Sequence, residues 1–159
     1  MNTIDFAISM ELEGQKYYSD LAELNMDNEL HKVFLLLADS EKQHANLLKK
    51  YKKKEALNLE DQFIRPEFKS VFKDLKHFRK EHSSKQLDAY RIACEQEEKS
   101  IQLYKDMKAK AENVLEEEIF DYLIRQEEEH LILFEELVKM VTRPEEWVES
   151  AEFGIREDY

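Results

Sequence analysis

Residues 30–51 read LHKVFLLLADSEKQHANLLKKY, and the spacing of their apolar positions decides the fold. Stepping by four and three from Leu30 gives Phe34, Leu37, Glu41, His44, Leu48 and Tyr51. That periodicity is the face an α-helix turns toward bundle partners. Two polar residues, Glu41 and His44, interrupt it.

Three more seams follow from the same stepping. From Ile4 it gives Ala7, Glu11, Gly14, Tyr18 and Leu21, and from Tyr90 it gives Ala93, Glu97, Ser100, Tyr104 and Met107. From Phe120 it gives Leu123, Glu127, His130, Phe134 and Leu137. The two halves of the chain form an internal repeat offset by 86 residues, with Glu11 matching Glu97, Tyr18 matching Tyr104, Glu41 matching Glu127 and His44 matching His130. Two copies suggest a duplicated helical hairpin and not a solenoid.

The spacing also predicts height. Glu11 and Glu41 lie symmetrically about the turn-forming run Asn25-Met26-Asp27-Asn28, and Glu97 and Glu127 lie symmetrically about Glu112, beside Asn113. At 1.5 Å of rise per residue each glutamate stands roughly 20 Å from its turn. In antiparallel hairpins the paired glutamates then face each other. The expectation is an all-α, ferritin-like four-helix bundle over residues 1–142. A long crossover, about residues 52–84, would join helices two and three. Pro66 and the spacing of Phe68, Val71, Phe72, Leu75 and Phe78 predict a short helix inside the crossover. Pro144 ends the fourth helix, and residues 143–159 form a tail whose Trp147 and Phe153 are expected to pack on the bundle.

Composition agrees. The 159 residues contain two Gly and two Pro, too little punctuation for a many-turned β fold, and 38% are charged. The formal net charge of −12 argues against nucleic acid, which needs surplus Lys and Arg, and fits a chain that attracts cations. No run approaches the ~18 apolar residues of a membrane span. Residues 1–4 open directly into a helical pattern, so no signal peptide and no membrane association are expected, and a cytoplasmic location is. The single cysteine, Cys94, excludes an intrachain disulfide framework and a cysteine-based zinc cluster, and it reads as a small hydrophobe.

The chemistry lies in the seam. Four carboxylates converging at one level of a dry bundle repel each other and cost several kcal/mol each unless partners neutralise them. No Lys or Arg shares the seams. A pair of dications balances four glutamates, and one imidazole per metal suits iron, with manganese or zinc also possible. One Glu from each of two helices, with Glu-x-x-His from each of two others, is the donor pattern of two-metal carboxylate bundles. The metal-ligand candidates are therefore Glu11, Glu41, His44, Glu97, Glu127 and His130, with Glu41 and Glu127 as the expected bridges. Tyr18 and Tyr104, two turns beyond Glu11 and Glu97, are candidates to bond ligand carboxylates. Small Gly14 and Ser100 make room for metals and a small oxidant. Glu13, Glu95, Glu98, Glu128 and Glu129 fall off the seams and read as surface. His31, His77 and His82 read as ordinary surface or linker histidines.

At these residues the chain resembles the rubrerythrin branch of the ferritin-like superfamily. The resemblance is carried by AISMELEGQKYYSDLAE at 7–23, LADSEKQHANLL at 37–48, ACEQEEKSIQLY at 93–104 and RQEEEHLILFEEL at 125–137, and also by the tail RPEEWVESAEF. It implies a non-haem di-iron site on the six residues above. It also implies an oxidoreductase acting on hydrogen peroxide or dioxygen in oxygen defence. Rubrerythrin peroxidases usually carry a rubredoxin module with two CxxC pairs. With one cysteine in this sequence, electrons are expected from an external donor such as a rubredoxin-like protein, or from Fe(II). Those peroxidases also tend to carry an extra glutamate on the third helix, where this chain has Ser100. Bacterioferritins share the six-ligand pattern, which makes iron handling the alternative function. They hold haem through a methionine where this chain has Lys42, so no haem is expected. A non-catalytic, metal-stabilised helical module is the third reading. The two-hairpin design further predicts a homodimer, in which one chain's first hairpin can pair with another's second by domain swapping.

Overall fold

The computed structural model describes residues 2–54 and 84–142. They form four helices: α1 Thr3–Leu24, α2 Leu30–Lys52, α3 Ser84–Ala109 and α4 Val114–Thr142. The fold is an all-α four-helix bundle, as the four seams require. The short crossover helix expected after Pro66, the body of the crossover, and the tail 143–159 with Trp147 and Phe153 lie outside the described residues, as do His77 and His82.

Both ends of α1 and the starts of α2 and α4 are set by asparagine side chains that satisfy orphan backbone groups. Asn2 Oδ1 accepts from the Asp5 amide at 2.8 Å and starts α1. Asn25 Nδ2 donates to the Leu21 carbonyl at 2.8 Å and closes it. Asn28 Oδ1 accepts from the Leu30 amide at 2.9 Å, opening α2, and Asn113 does the same for the Glu116 amide at 2.9 Å, opening α4. Glu116 and Glu117 in the first turn of α4, and Lys49, Lys50 and Lys52 in the last turn of α2, complement their helix dipoles. Both turns thus fall where the sequence places them.

Helix α1 packs along α2, and α3 along α4. The hairpins join through two apolar clusters. One gathers Tyr18 and Leu21 late in α1, Phe34 and Leu37 early in α2, Tyr90 early in α3, and Phe134 and Leu137 late in α4. The other gathers Ala7 early in α1, Leu47 and Leu48 late in α2, Tyr104 and Met107 late in α3, and Phe120 and Leu123 early in α4. Helices α1 and α4 therefore run one way and α2 and α3 the other. The end of α2 and the start of α3 lie at opposite ends of the bundle. Fully burying a Phe or Leu contributes about 1.5–3 kcal/mol, so these clusters supply the energy that holds a polar layer between them.

Candidate metal centre

Between the two apolar clusters the seam residues form one polar layer. Glu11 comes from α1, Glu41 and His44 from α2, Glu97 from α3, and Glu127 and His130 from α4; none is more than 4% exposed. His44 Nδ1 lies 3.0 Å from Glu127 Oε1 and 3.4 Å from Glu11 Oε2. His130 Nδ1 lies 3.0 Å from Glu41 Oε1, 3.3 Å from Glu97 Oε1 and 3.3 Å from Glu127 Oε2. The two imidazoles stack with centroids 5.8 Å apart and planes at 19°. Two overlapping donor sets result, Glu11–Glu41–His44–Glu127 and Glu41–Glu97–Glu127–His130, each with one ligand atom per residue and all such atoms within 4.8 Å of one another. Glu41 and Glu127 belong to both sets.

The tyrosines expected to support the layer reach it crosswise. The Tyr18 hydroxyl on α1 donates to Glu97 Oε1 on α3, and the Tyr104 hydroxyl on α3 donates to Glu11 Oε1 on α1. Burial pushes both phenols well above their usual pKa, so they stay protonated and keep donating. Gly14 lies against Glu41, with a hypothetical Cβ 3.2 Å from Glu41 Oε2. A cavity of about 210 Å³ opens between α1 and α3, lined by the buried Tyr18, Glu41, Glu97 and Ser100, by half-buried Gly14 and by exposed Glu13. Ser100 Oγ donates to the Gln96 carbonyl at 3.0 Å and lies 3.5 Å from Met10 Sδ, leaving the space beside Glu97 open.

Comparison with protein families bears on this arrangement. The family model described as Rubrerythrin matches residues 2–138, which take in the first three helices, most of α4 and the whole polar layer. The chain belongs to the rubrerythrin family. No curated protein and no solved structure matched it.

The residues of this rubrerythrin-family chain fit a bound metal, and the family suggests iron. Among the described residues, buried Glu97 Oε2 has no hydrogen-bond partner, and buried Glu11 Oε2 and Glu127 Oε2 have an imidazole Nδ1 near, at 3.4 and 3.3 Å, without hydrogen-bond geometry. Orphaned acceptors of this kind are costly in a protein interior, and cations satisfy them. The buried carboxylate and imidazole donors can bind metal and are compatible with a di-iron site.

Protonation follows from the packing. Burial, then the Glu127 charge, raises the Glu11 pKa. Burial, then Glu11 and Glu127, raises Glu41 well above the ordinary carboxylate value, and burial with Glu127 does so for Glu97. Burial would raise Glu127 too, but hydrogen bonding from Glu97 and the two imidazoles outweighs it and holds Glu127 well below. Burial would depress the histidines. Glu11 and Glu127 overcome this for His44 and lift it to about 10, and Glu97 and Glu127 raise His130 well above its ordinary value. These shifts favour proton uptake by the metal-free layer, and metal binding to the same groups would release protons.

Sequence reasoning missed one member of this site. Ser40 is 4% exposed, and its Oγ lies 3.0 Å from His130 Nε2 and 3.4 Å from His44 Nε2. The available signal was the pair of polar residues directly before each seam glutamate of the repeat, Ser40 and Gln126, which both turn out buried. His31, read as ordinary, is half-buried with Nδ1 2.7 Å from the Ala22 carbonyl at the end of α1. Glu13, Glu95, Glu98 and Glu128 are exposed as expected, whereas Glu129 is half-buried. Cys94 packs half-buried against the first apolar cluster, and burial pushes its thiol up to about 11, in keeping with a small hydrophobe.

Proposed function

We propose that the chain is a non-haem di-iron oxidoreductase that reduces hydrogen peroxide or dioxygen in oxygen defence. The observation that carries this reading is the small cavity that ends on Glu41 and Glu97, at the edge of a polar layer otherwise enclosed by apolar side chains. It is roomy enough for a diatomic or peroxide molecule and leads to the layer from the surface.

In this reading Glu41 and Glu127, common to both donor sets, would hold both metals, Glu11 with His44 would help hold one and Glu97 with His130 the other. Two iron ions there would supply together the electron pair that a peroxide O–O bond takes up on cleavage. The chain's own residues set the conditions. Four hard carboxylates favour the higher metal charge. The Tyr18 and Tyr104 hydroxyls hold Glu97 and Glu11 in place. The apolar clusters exclude bulk water, while Gly14 and Ser100 keep the approach open. Return to the reduced state draws electrons from an external donor such as a rubredoxin-like protein, and a cytoplasmic setting belongs to the same proposal. Among the described residues no helix is long and apolar enough to cross a membrane.

Stopped-flow mixing of Fe(II)-loaded protein with each oxidant tests the reading. Oxidation faster than that of free Fe(II) in the same buffer, with turnover on adding an electron donor, supports it. Oxidation that ends in stored mineral iron would favour iron handling of the bacterioferritin type. A bound metal inert to both oxidants would leave a structural metal module, with zinc or manganese as the occupant.

A further inference from the structure

We propose that Ser40 is the positioning residue for both imidazoles of the centre, accepting the Nε2–H of His44 and of His130 on one hydroxyl oxygen. The inference rests on the metal reading above and adds to it how the two halves of the site are tied together.

The geometry is specific. Both Nδ1 atoms face carboxylates: His44 toward Glu127 and Glu11, His130 toward Glu41, Glu97 and Glu127. Both Nε2 atoms face the Ser40 hydroxyl, at 3.4 Å for His44 and 3.0 Å for His130. A neutral imidazole carries one proton on its two nitrogens, so a ring that offers the Nδ1 lone pair to a metal carries its proton on Nε2. A buried Nε2–H needs an acceptor. A serine oxygen has two lone pairs and can accept from both rings at once.

Ser40 can do this because of where it sits. It precedes Glu41 on α2, so it is one turn from His44 on its own helix, and the His130 side chain reaches across from α4 to the same oxygen. The rings are stacked at 5.8 Å, which puts their Nε2 edges within reach of a single atom. The repeat does not duplicate the device, since the counterpart of Ser40 in the second half is Gln126. The pseudo-symmetric centre is thus served from one side, and the orientation of each ring is linked to that of the other through Ser40.

Substitution of Ser40 by alanine removes the acceptor while keeping a small, helix-favouring side chain. Metal-free wild-type and S40A proteins would be titrated with Co(II) against a competing chelator. The Zn(II)-loaded forms would be compared by ¹⁵N–¹H correlation of the histidine side chains. The expected result is a 10–100-fold loss of Co(II) affinity in S40A, the range typical of lost outer-shell partners, with faster solvent exchange of the Nε2 protons of both histidines. S40T, which restores a hydroxyl, should recover affinity and slow exchange. Unchanged affinity in S40A with both Nε2 protons unperturbed overturns the proposal, as does an effect confined to one ring. If wild-type protein itself takes up no Co(II), the metal reading falls and the Ser40 inference with it.

Discussion

Gly14 on α1 lies directly against the carboxylate of Glu41 on α2: a Cβ at position 14 would meet Glu41 Oε2 at 3.2 Å and Cδ at 3.3 Å. Both distances are tight, so an added methyl group must displace the carboxylate by a few tenths of an ångström. In the middle of a helix, however, alanine is favoured over glycine by about 1 kcal/mol. Gly14→Ala should therefore act in opposite directions. The metal-free protein should melt a few degrees higher, while metal affinity should drop several-fold. Thermal melts and chelator competition on the same preparation measure both; an alanine variant with wild-type affinity would show that Glu41 does not need its observed position.

Tyr18→Phe and Tyr104→Phe each remove one hydroxyl donor from a buried carboxylate, that of Glu97 and Glu11 respectively. The rings stay in place, because Tyr18 stacks on Phe134 at 5.3 Å and Tyr104 on Phe120 at 6.4 Å. Each change should weaken metal retention about 10-fold or more with little loss of helicity. Because the donations cross between the hairpins, the double variant should also loosen hairpin association. Metal affinity together with hydrogen exchange across α1 and α3 would reveal this, and unaltered retention in both single variants would count against any supporting role.

The metal-free protein should lose stability as pH rises. His44 and His130 have folded-state pKa values raised above the ordinary 6.5, so their contribution is complete below that value and fades as pH climbs toward about 10 for His44. Glu11, Glu41 and Glu97 are raised above 4.5, so they too bind protons in the folded state that the unfolded chain has released. Glu127 is depressed, and its stabilising share is lost only on acidification below 4.5. Between about pH 5 and pH 9 the first five groups set the slope, and the melting midpoint without metal should fall. Metal binding should release protons and strengthen over the same range. Calorimetry in buffers of different ionisation enthalpy counts the protons; a midpoint that rises with pH would reverse the assignment.

Much of this was legible in the sequence because helices convert spacing into geometry. Steps of three and four put Glu41 and His44 on one face, and equal distances of Glu11 and Glu41 from Asn25–Asn28 put them at one height. The run Asn25–Asn28 could be read as a turn from residue type alone, although which backbone group each asparagine caps is decided by the folded helix ends. Ser40 could not be placed that way. It stands one residue off the seam stepping, and its contact with His130 depends on how closely α2 and α4 approach. The same holds for the crosswise bonds of Tyr18 and Tyr104, where sequence supplied the residues and only packing decides which glutamate each one meets. The cavity is a further case, since its lining is assembled from different helices, Gly14 on α1 and Ser100 on α3 among them.

In the structure one chain supplies all six residues of the layer. A homodimer is nevertheless proposed, and sedimentation should give twice the 19.1 kDa chain mass. Whether hairpins are exchanged is read by refolding Glu11→Ala and Glu97→Ala chains together. Hairpins closed within each chain, as seen here, predict that no site regains all its ligands. Recovery of full metal binding in one of the two sites of each mixed dimer, about a quarter of all sites after random pairing, would instead establish a swapped dimer, in which the intact first hairpin of one chain meets the intact second hairpin of the other.

The central claim is that Glu11, Glu41, His44, Glu97, Glu127 and His130 hold a pair of metals bridged by Glu41 and Glu127, the two residues common to both donor sets. Anaerobic titration of metal-free protein with Fe(II), read by equilibrium dialysis and elemental analysis, tests it most directly. The expected result is two irons per chain in the wild type, with Glu41→Ala and Glu127→Ala each losing more metal than His44→Ala, since a bridge serves both ions and a histidine only one. A single iron per chain, or equal retention by all three variants, would contradict it.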